Sequence, residues 1–267
     1  MARGPAVFSE LRLMHEVRKV IKQVLAWMGV FLSCSVAQAG PQIGVGVVYD
    51  YLDGDKSTYM KRVFNGGTST AFVKVNILEI LYNEDGTYQE VPLQNQASAT
   101  AKDGLMASPA RLIVPANGVQ GTRLLFMGNR DKERYFRVRF VPVVPEAEDE
   151  FAVSAEEREA YKKERVAAGV KVLAGYGTVF FVRPKNTRFA TVIDDNADRY
   201  LMRNNGNSVL VIDEFKDCAA KAENDCRPTT KHHVMAGRTF SFDKEAGREY
   251  RFTLIEGGQS KAIEIKG

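Results

Sequence analysis

From Ile43 onward, apolar and polar residues alternate in short runs separated by glycine, asparagine, aspartate and proline. The runs are Ile43–Tyr51, Ser57–Phe64, Ala71–Tyr82, Tyr88–Leu93, Arg111–Val114, Gly121–Met127 and Tyr135–Val144. A period of two bounded by turn residues predicts strands, and many short strands in series predict β-sandwiches. The longest run is Val166–Val182. There Val166, Ala168, Val170, Val172, Ala174, Tyr176, Thr178, Phe180 and Val182 share one phase, and all nine suit a buried strand face. At ~3.3 Å per residue such a strand spans about 53 Å, against ~17–20 Å for an ordinary one. One sandwich cannot cover it. The other phase is small or charged at first (Ala167, Gly169, Lys171, Gly175, Gly177) and turns apolar only at Val179 and Phe181. The run therefore reads as buried on both faces at its end and as a one-faced apolar edge at its beginning. An exposed edge of that length invites aggregation unless a partner strand uses it.

Arg183-Pro184-Lys185-Asn186 interrupts the pattern, as proline does at a strand end. A second, shorter series follows: Ala190–Ile193, Arg199–Arg203, Ser208–Glu214, His233–Val234, Arg238–Phe242, Glu249–Leu254 and Ala262–Ile265. The expectation is an all-β chain of two sandwich domains, 40–184 and 185–267. No internal repeat or low-complexity tract stands out. Residues 145–165 break the β pattern with a dense run of charges. Ser154 with Glu157 fits a helix-capping box, so this long charged loop reads either as a short helix or as a solvated connection into the long strand.

The first 39 residues have the three parts of an export signal. Arg18, Lys19 and Lys22 precede the apolar run Val24–Leu32, and Ala37-Gln38-Ala39 offers a cleavage site before Gly40. The apolar run is short for a membrane span. Either Met1 or Met14 serves as the start. Removing this segment leaves 32 of the 37 basic and 31 of the 33 acidic residues, a net charge of about +1. Neither nucleic-acid binding nor membrane insertion follows from that balance. Cys218 and Cys226 remain as an even pair, which in an exported chain predicts one local disulfide.

Candidate chemistry is sparse. His232 and His233 are adjacent, so in a strand they face opposite ways, which favours packing or surface roles over a metal site. No nucleophile elbow, HExxH, P-loop or paired-cysteine zinc pattern occurs, and Gly44-Val45-Gly46 lacks the third glycine of a dinucleotide fingerprint. The sequence therefore reads as a non-enzyme without cofactor or metal.

A more specific signal is Phe126-Met127-Gly128-Asn129-Arg130-Asp131-Lys132-Glu133-Arg134-Tyr135-Phe136-Arg137-Val138, with Thr178-Val179-Phe180-Phe181-Val182-Arg183-Pro184 after it. Around these stand Ser108-Pro109-Ala110-Arg111-Leu112, Asn204-Asn205-Gly206-Asn207, the spaced cysteines and Met235-Ala236-Gly237. In this order they resemble the periplasmic chaperones of the chaperone–usher pilus pathway, most closely the alternate clade that includes the common-pilus chaperones. The resemblance implies two immunoglobulin-like β-sandwich domains in an L- or boomerang-shaped arrangement. It also implies a periplasmic location, pilin subunits and an outer-membrane usher as partners, and self-association of the free chaperone as an option. The family mechanism is strand donation: the seventh strand fills the open groove of a subunit that lacks its own last strand. By phase, the donated side chains are Val166, Ala168, Val170, Val172 and Ala174. In the better-known branch, two basic side chains bind the subunit's C-terminal carboxylate. Alignment from Arg183-Pro184 puts those positions on Gly177 and near Tyr49, neither of them basic. On the sixth strand, Arg137 and Arg139 share a phase that faces away from Phe136, Val138 and Phe140. With Thr178 as a hydroxyl donor, they are the candidate anchor. Asp131 and Glu133 read as residues that order the preceding turn or pair with Arg134. A pilus subunit or adhesin is the competing reading, but its donor strand would directly follow the signal, whereas here the long alternation is internal.

Overall fold

A computed structural model describes residues 40–83, 85–93, 103–167 and 173–267. The expected export signal, residue 84, residues 94–102 and residues 168–172 lie outside the described residues. The first domain contains β1 (Ile43–Gly44), β2 (Tyr49–Leu52), β3 (Thr58–Asn65), β4 (Ala71–Tyr82), β5 (Tyr88–Pro92), β6 (Gly104–Ser108), β7 (Arg111–Val114), β8 (Val119–Met127) and β9 (Arg134–Val143). Helix α1 (Ala155–Ala167) and β10 (Tyr176–Val182) complete it. One sheet has the order β1-β3-β8-β6, and the other has β2-β10-β9-β4-β5, with β7 pairing the start of β4. Their inner faces meet in a core that includes Val63, Val73, Leu124, Phe136, Val138, Phe140, Phe180 and Val182.

The second domain holds β11 (Thr191–Asp195), β12 (Arg199–Asn204), β13 (Leu210–Ala219), β14 (Ala222–Cys226), β15 (Thr230–Val234), β16 (Thr239–Asp243), β17 (Arg248–Glu256) and β18 (Gln259–Lys266). Its sheets are β11-β12-β16 and β14-β13-β17-β18, with β15 also on β13. A separate core gathers Tyr200, Met202, Leu210, Ile212, Tyr250, Phe252 and Leu254. Cys218 and Cys226 stand opposite each other in the β13–β14 hairpin and are disulfide-bonded, as their spacing predicts. Among the described residues, no helix is long and apolar enough to cross a membrane.

Two local expectations are corrected and one open alternative is decided. The first predicted strand is two, because the chain leaves β3 after Gly44 and joins β10 at Tyr49. Lys61 explains the break: its buried ammonium donates to the Val47 carbonyl at 2.7 Å and to Asp50 Oδ2 at 2.7 Å, and Tyr59 donates to Asp50 Oδ1 at 2.7 Å. This pins the connecting residues between the sheets. Second, of the two readings open for the charged segment, the helix is the one observed, and it is docked. Ser154 and Glu157 form the reciprocal capping box, with bonds of 2.7 and 3.1 Å. Glu156 and Glu157 sit in the first turn and Arg165 in the last, which suits the helix dipole. Tyr161 and Phe151 pack edge-on against Phe72 of β4, and the Tyr161 hydroxyl donates to the Thr70 carbonyl at 2.9 Å.

The other correction concerns the long strand. Its regular part starts at Tyr176, and Val166 lies in the last turn of α1 rather than in a strand. Capping, dipole and the Glu/Lys/Arg content of Ala155–Arg165 favour helix locally and carry it through Val166. Ala168, Val170 and Val172 fall outside the described residues, whereas Ala174 precedes β10 and is exposed. The sandwich core ends at Thr178, since Tyr176, next in phase, is 41% exposed.

Candidate functional site

β10 carries the site because its two sides are partnered unequally. On one side it pairs antiparallel with β9 along its whole length, from Tyr176↔Phe140 to Val182↔Arg134. On the other side it pairs parallel with β2, only from Val179↔Tyr49 to Val182↔Leu52. Val179 N–H donates to the Val48 carbonyl at 2.8 Å and Arg183 N–H to the Leu52 carbonyl at 3.0 Å. The odd residues of β10 thus turn their backbone groups toward β2. Gly177 has the same orientation but lies ahead of the paired stretch, and among the described residues no strand pairs with this side at Tyr176–Thr178. Because the Lys61 contact holds the chain at Val47, β2 stops where this edge begins. Val47 and Val48, exposed beside it, add apolar surface. An extended segment of another chain placed here would satisfy backbone groups and cover apolar side chains together.

The outer face of the same sheet presents Arg137 and Arg139, whereas Phe136, Val138 and Phe140 are buried on the inner face, as their alternation predicts. In register, Arg139 lies opposite Gly177 and Arg137 opposite Val179. A side chain added at Gly177 would meet Arg137 Cδ at 3.3 Å, so the arginine lies over the bare glycine. Arg137 Nε contacts Glu90 Oε1 at 2.9 Å, and Arg139 Nη2 contacts Glu90 Oε2. Burial alone would raise the Glu90 carboxyl, but the Arg137 hydrogen bond and the two guanidinium charges outweigh it and hold the carboxyl below its usual range. Thr178 does not join them. It is 1% exposed and faces the core, with Oγ1 donating to the Val138 carbonyl at 3.4 Å. Even-numbered positions of β10 point inward, which puts its hydroxyl on the wrong side of the sheet for a shared anchor.

Toward the second domain, this face becomes an aromatic seam. Phe181 stacks on His233 with centroids 5.1 Å apart, Tyr49 lies 4.2 Å from the same imidazole, and Tyr51 Oη is 2.7 Å from His233 Nε2. Burial pushes the Tyr51 hydroxyl up, so it stays protonated, whereas burial pushes His233 down to about 4. His232 faces the other way, against Phe240 and Phe215, and both histidines have the packing roles their adjacency predicts.

Sequence reasoning missed the role of Glu133. It pairs with neither Arg134 nor the turn. Ser208 Oγ donates to it at 2.6 Å, Val209 N–H at 2.9 Å and the Tyr135 hydroxyl at 3.0 Å, which fastens the two domains through a buried carboxylate. Desolvation raises its pKa despite these three donors. Arg134 instead forks onto Glu79 at 2.7 and 2.8 Å, and Asp131 orders its turn through Asn129. No local signal marks a partner 75 residues away. Arg183, the end of the recognised motif, completes the seam by pairing with Asp53 at 2.6 Å beneath Tyr51 and Phe189.

Comparison with known proteins agrees with this architecture. No family model matches the chain. The probable fimbrial chaperone EcpB of Escherichia coli O1:K1 / APEC is 25% identical over 248 residues, covering 92% of this chain and 99% of the relative. The EcpB of Escherichia coli O18:K1:H7 (strain IHE3034 / ExPEC) is 26% identical over the same length. Among solved structures, the class 5 fimbriae chaperone CfaA aligns with a TM-score of 0.50 at 19% identity, over 85% of this chain and 99% of that one. The E. coli chaperone DraB aligns with a TM-score of 0.50 at 13% identity, over 85% and 97% of the two chains. These two structures share the fold. The chain is thus similar along nearly its whole length to proteins named probable fimbrial chaperones, and it shares the fold of the chaperones CfaA and DraB.

Proposed function

We propose that this protein is a periplasmic pilus-assembly chaperone that lends the segment leading into β10 to an incomplete pilin subunit and hands the subunit to an outer-membrane usher. The half-open edge of β10 carries this reading. β9 supports the strand along one side, while among the described residues no strand pairs with the other side where the sandwich core ends. The alternation Ala168, Val170, Val172, Ala174 continues the core-facing phase of Thr178, Phe180 and Val182 beyond that core. Those residues fill the subunit's groove, each Val contributing about 1.5–3 kcal/mol before ordering costs. Val166 joins them only when the last turn of α1 unwinds. Arg137 and Arg139 take the subunit's terminal carboxylate, in place of the basic positions that align with Gly177 and near Tyr49 in this chain. The protein acts by binding and not by catalysis.

Co-expression with a candidate pilin subunit tests the reading. A one-to-one complex is expected in the periplasmic fraction, lost on Val170→Asp with Val172→Asp while the free variant keeps its circular dichroism and melting temperature. An intact complex, or a variant that unfolds by itself, sinks the donor assignment.

A further inference from the structure

Glu90 is placed where a carboxylate of a bound partner would sit. It belongs to β5, the edge strand beside β4, and reaches across the outer face of the sheet to the two arginines of β9. Each of its oxygens meets a different guanidinium. Its side chain is 17% exposed and that of Arg139 is 49% exposed, so the carboxylate lies beneath and the outer guanidinium opens to solvent. Each guanidinium offers five N–H donors, and Glu90 engages one from each, which leaves donors for a visitor. Across the sheet, the facing residues are Asn76 beside Arg139 and Leu78 beside Arg137, neither of which supplies a second counter-ion. A chain laid along the free edge of β10 and ending near Gly177 brings its terminus to the outer side of this pair.

We propose that Glu90 is the specificity-determining residue of this face: a resident carboxylate that an incoming C-terminal carboxylate displaces and that a neutral terminus does not. The proposal rests on the assignment of Arg137 and Arg139 as the anchor. The discrimination follows from charge pairing. A carboxylate replaces Glu90 like for like, whereas a neutral amide would leave two guanidiniums without a counter-ion on a half-buried face. Rejection of the neutral end comes from the interaction it would break. Exchange also makes the anchor reversible, because Glu90 closes on the arginines again as the partner leaves.

The test is titration of the protein with a five-residue peptide of alternating Val and Ser, as the free acid and as the C-terminal amide, followed through the arginine Nε–Hε signals by NMR. Wild-type protein is expected to prefer the acid. Glu90→Gln should bind the acid about tenfold more tightly with amide binding unchanged, Glu90→Asp should fall between, and Arg137→Gln should abolish the preference. If Glu90→Gln leaves acid binding unchanged or weaker while Arg137→Gln still removes the preference, the anchor stands and the displacement proposal falls. If acid and amide bind alike in wild type and in Glu90→Gln, or neither binds the Glu90→Gln protein, the anchor assignment falls with it.

Discussion

Acidification should loosen the seam between the domains through His233. Its imidazole sits between Phe181 and Tyr49, shares a hydrogen bond with the Tyr51 hydroxyl, and has Lys231, Asp213 and His232 as its charged or titratable neighbours on the second domain. Desolvation and the Lys231 charge hold its pKa at about 4, against 6.5 for the unfolded chain. The sign follows from linkage: between those values the unfolded state binds the extra proton, so His233 contributes its stability above pH 6.5 and loses it as pH falls toward 4. From pH 7 to pH 5 the loss is about 2 kcal/mol, approaching ~3 kcal/mol near pH 4. Glu133 in the same seam acts in the opposite sense. Its raised carboxyl takes up a proton more readily when folded, so the fold gains from it as pH falls toward 4.5. His233→Gln keeps a hydrogen-bond partner for Tyr51 and removes the titration, and the difference between variant and wild type isolates the histidine. Urea unfolding at pH 7 and pH 5, followed by tyrosine fluorescence of the chain without its signal segment, should show wild type losing about 2 kcal/mol more than the variant. Equal losses, or an imidazole that titrates near 6.5 by NMR, would refute the buried-histidine argument.

Two other contacts make separate predictions. Lys61→Met leaves the buried Asp50 carboxylate with the Tyr59 hydroxyl but no counter-ion and should cost about 3–5 kcal/mol in urea unfolding. Adding Asp50→Leu should recover much of that stability, while backbone hydrogen exchange at Tyr49–Leu52 stays fast because the pin at Val47 is still missing. Tyr161→Ala removes the ring that holds α1 on Phe72 and should cost about 2–4 kcal/mol of local stability. It is read as accelerated proteolysis at Lys162 and Lys163, and unchanged cleavage would mean that the helix is held by its charges alone.

What was legible in the sequence depended on how local each cause is. Period-two alternation found most of the strands because one buried face suffices to write it. β6 was missed, since Gly104–Ser108 carries no such alternation and takes its place from pairing with β8. The break between β1 and β2 was missed for a similar reason: Lys61 causes it, from 14 residues away. In α1 the capping box was readable, but docking rests on a few aromatics, and Phe72 belongs to the outward phase of β4, where an apolar residue signals nothing by itself. Glu133 was hidden more deeply, because its role is a contact with Ser208 and Val209 of the other domain.

The long alternation from Val166 to Val182 shows most directly where such reading stops. Alternation records that a core wants those side chains, and it is silent on whose core. The structure divides the run by burial: Thr178, Phe180 and Val182 are enclosed by this protein's sandwich, while Tyr176 and Ala174 lie outside it. Phe181, on the opposite phase, is enclosed by the aromatic seam with His233 rather than by the sandwich. At the other end, Val166 obeys the strand phase and the helix pattern at once, and the capping and charge of the preceding eleven residues tip it toward helix. A segment whose pattern suits a strand and whose flank suits a helix is poorly determined by its own chain, and contacts from outside decide it. Hence the docking of α1 and the open side of β10 belong to one argument. On the proposed function, α1 flanks one end of the donated segment and β9 supports β10 at the other.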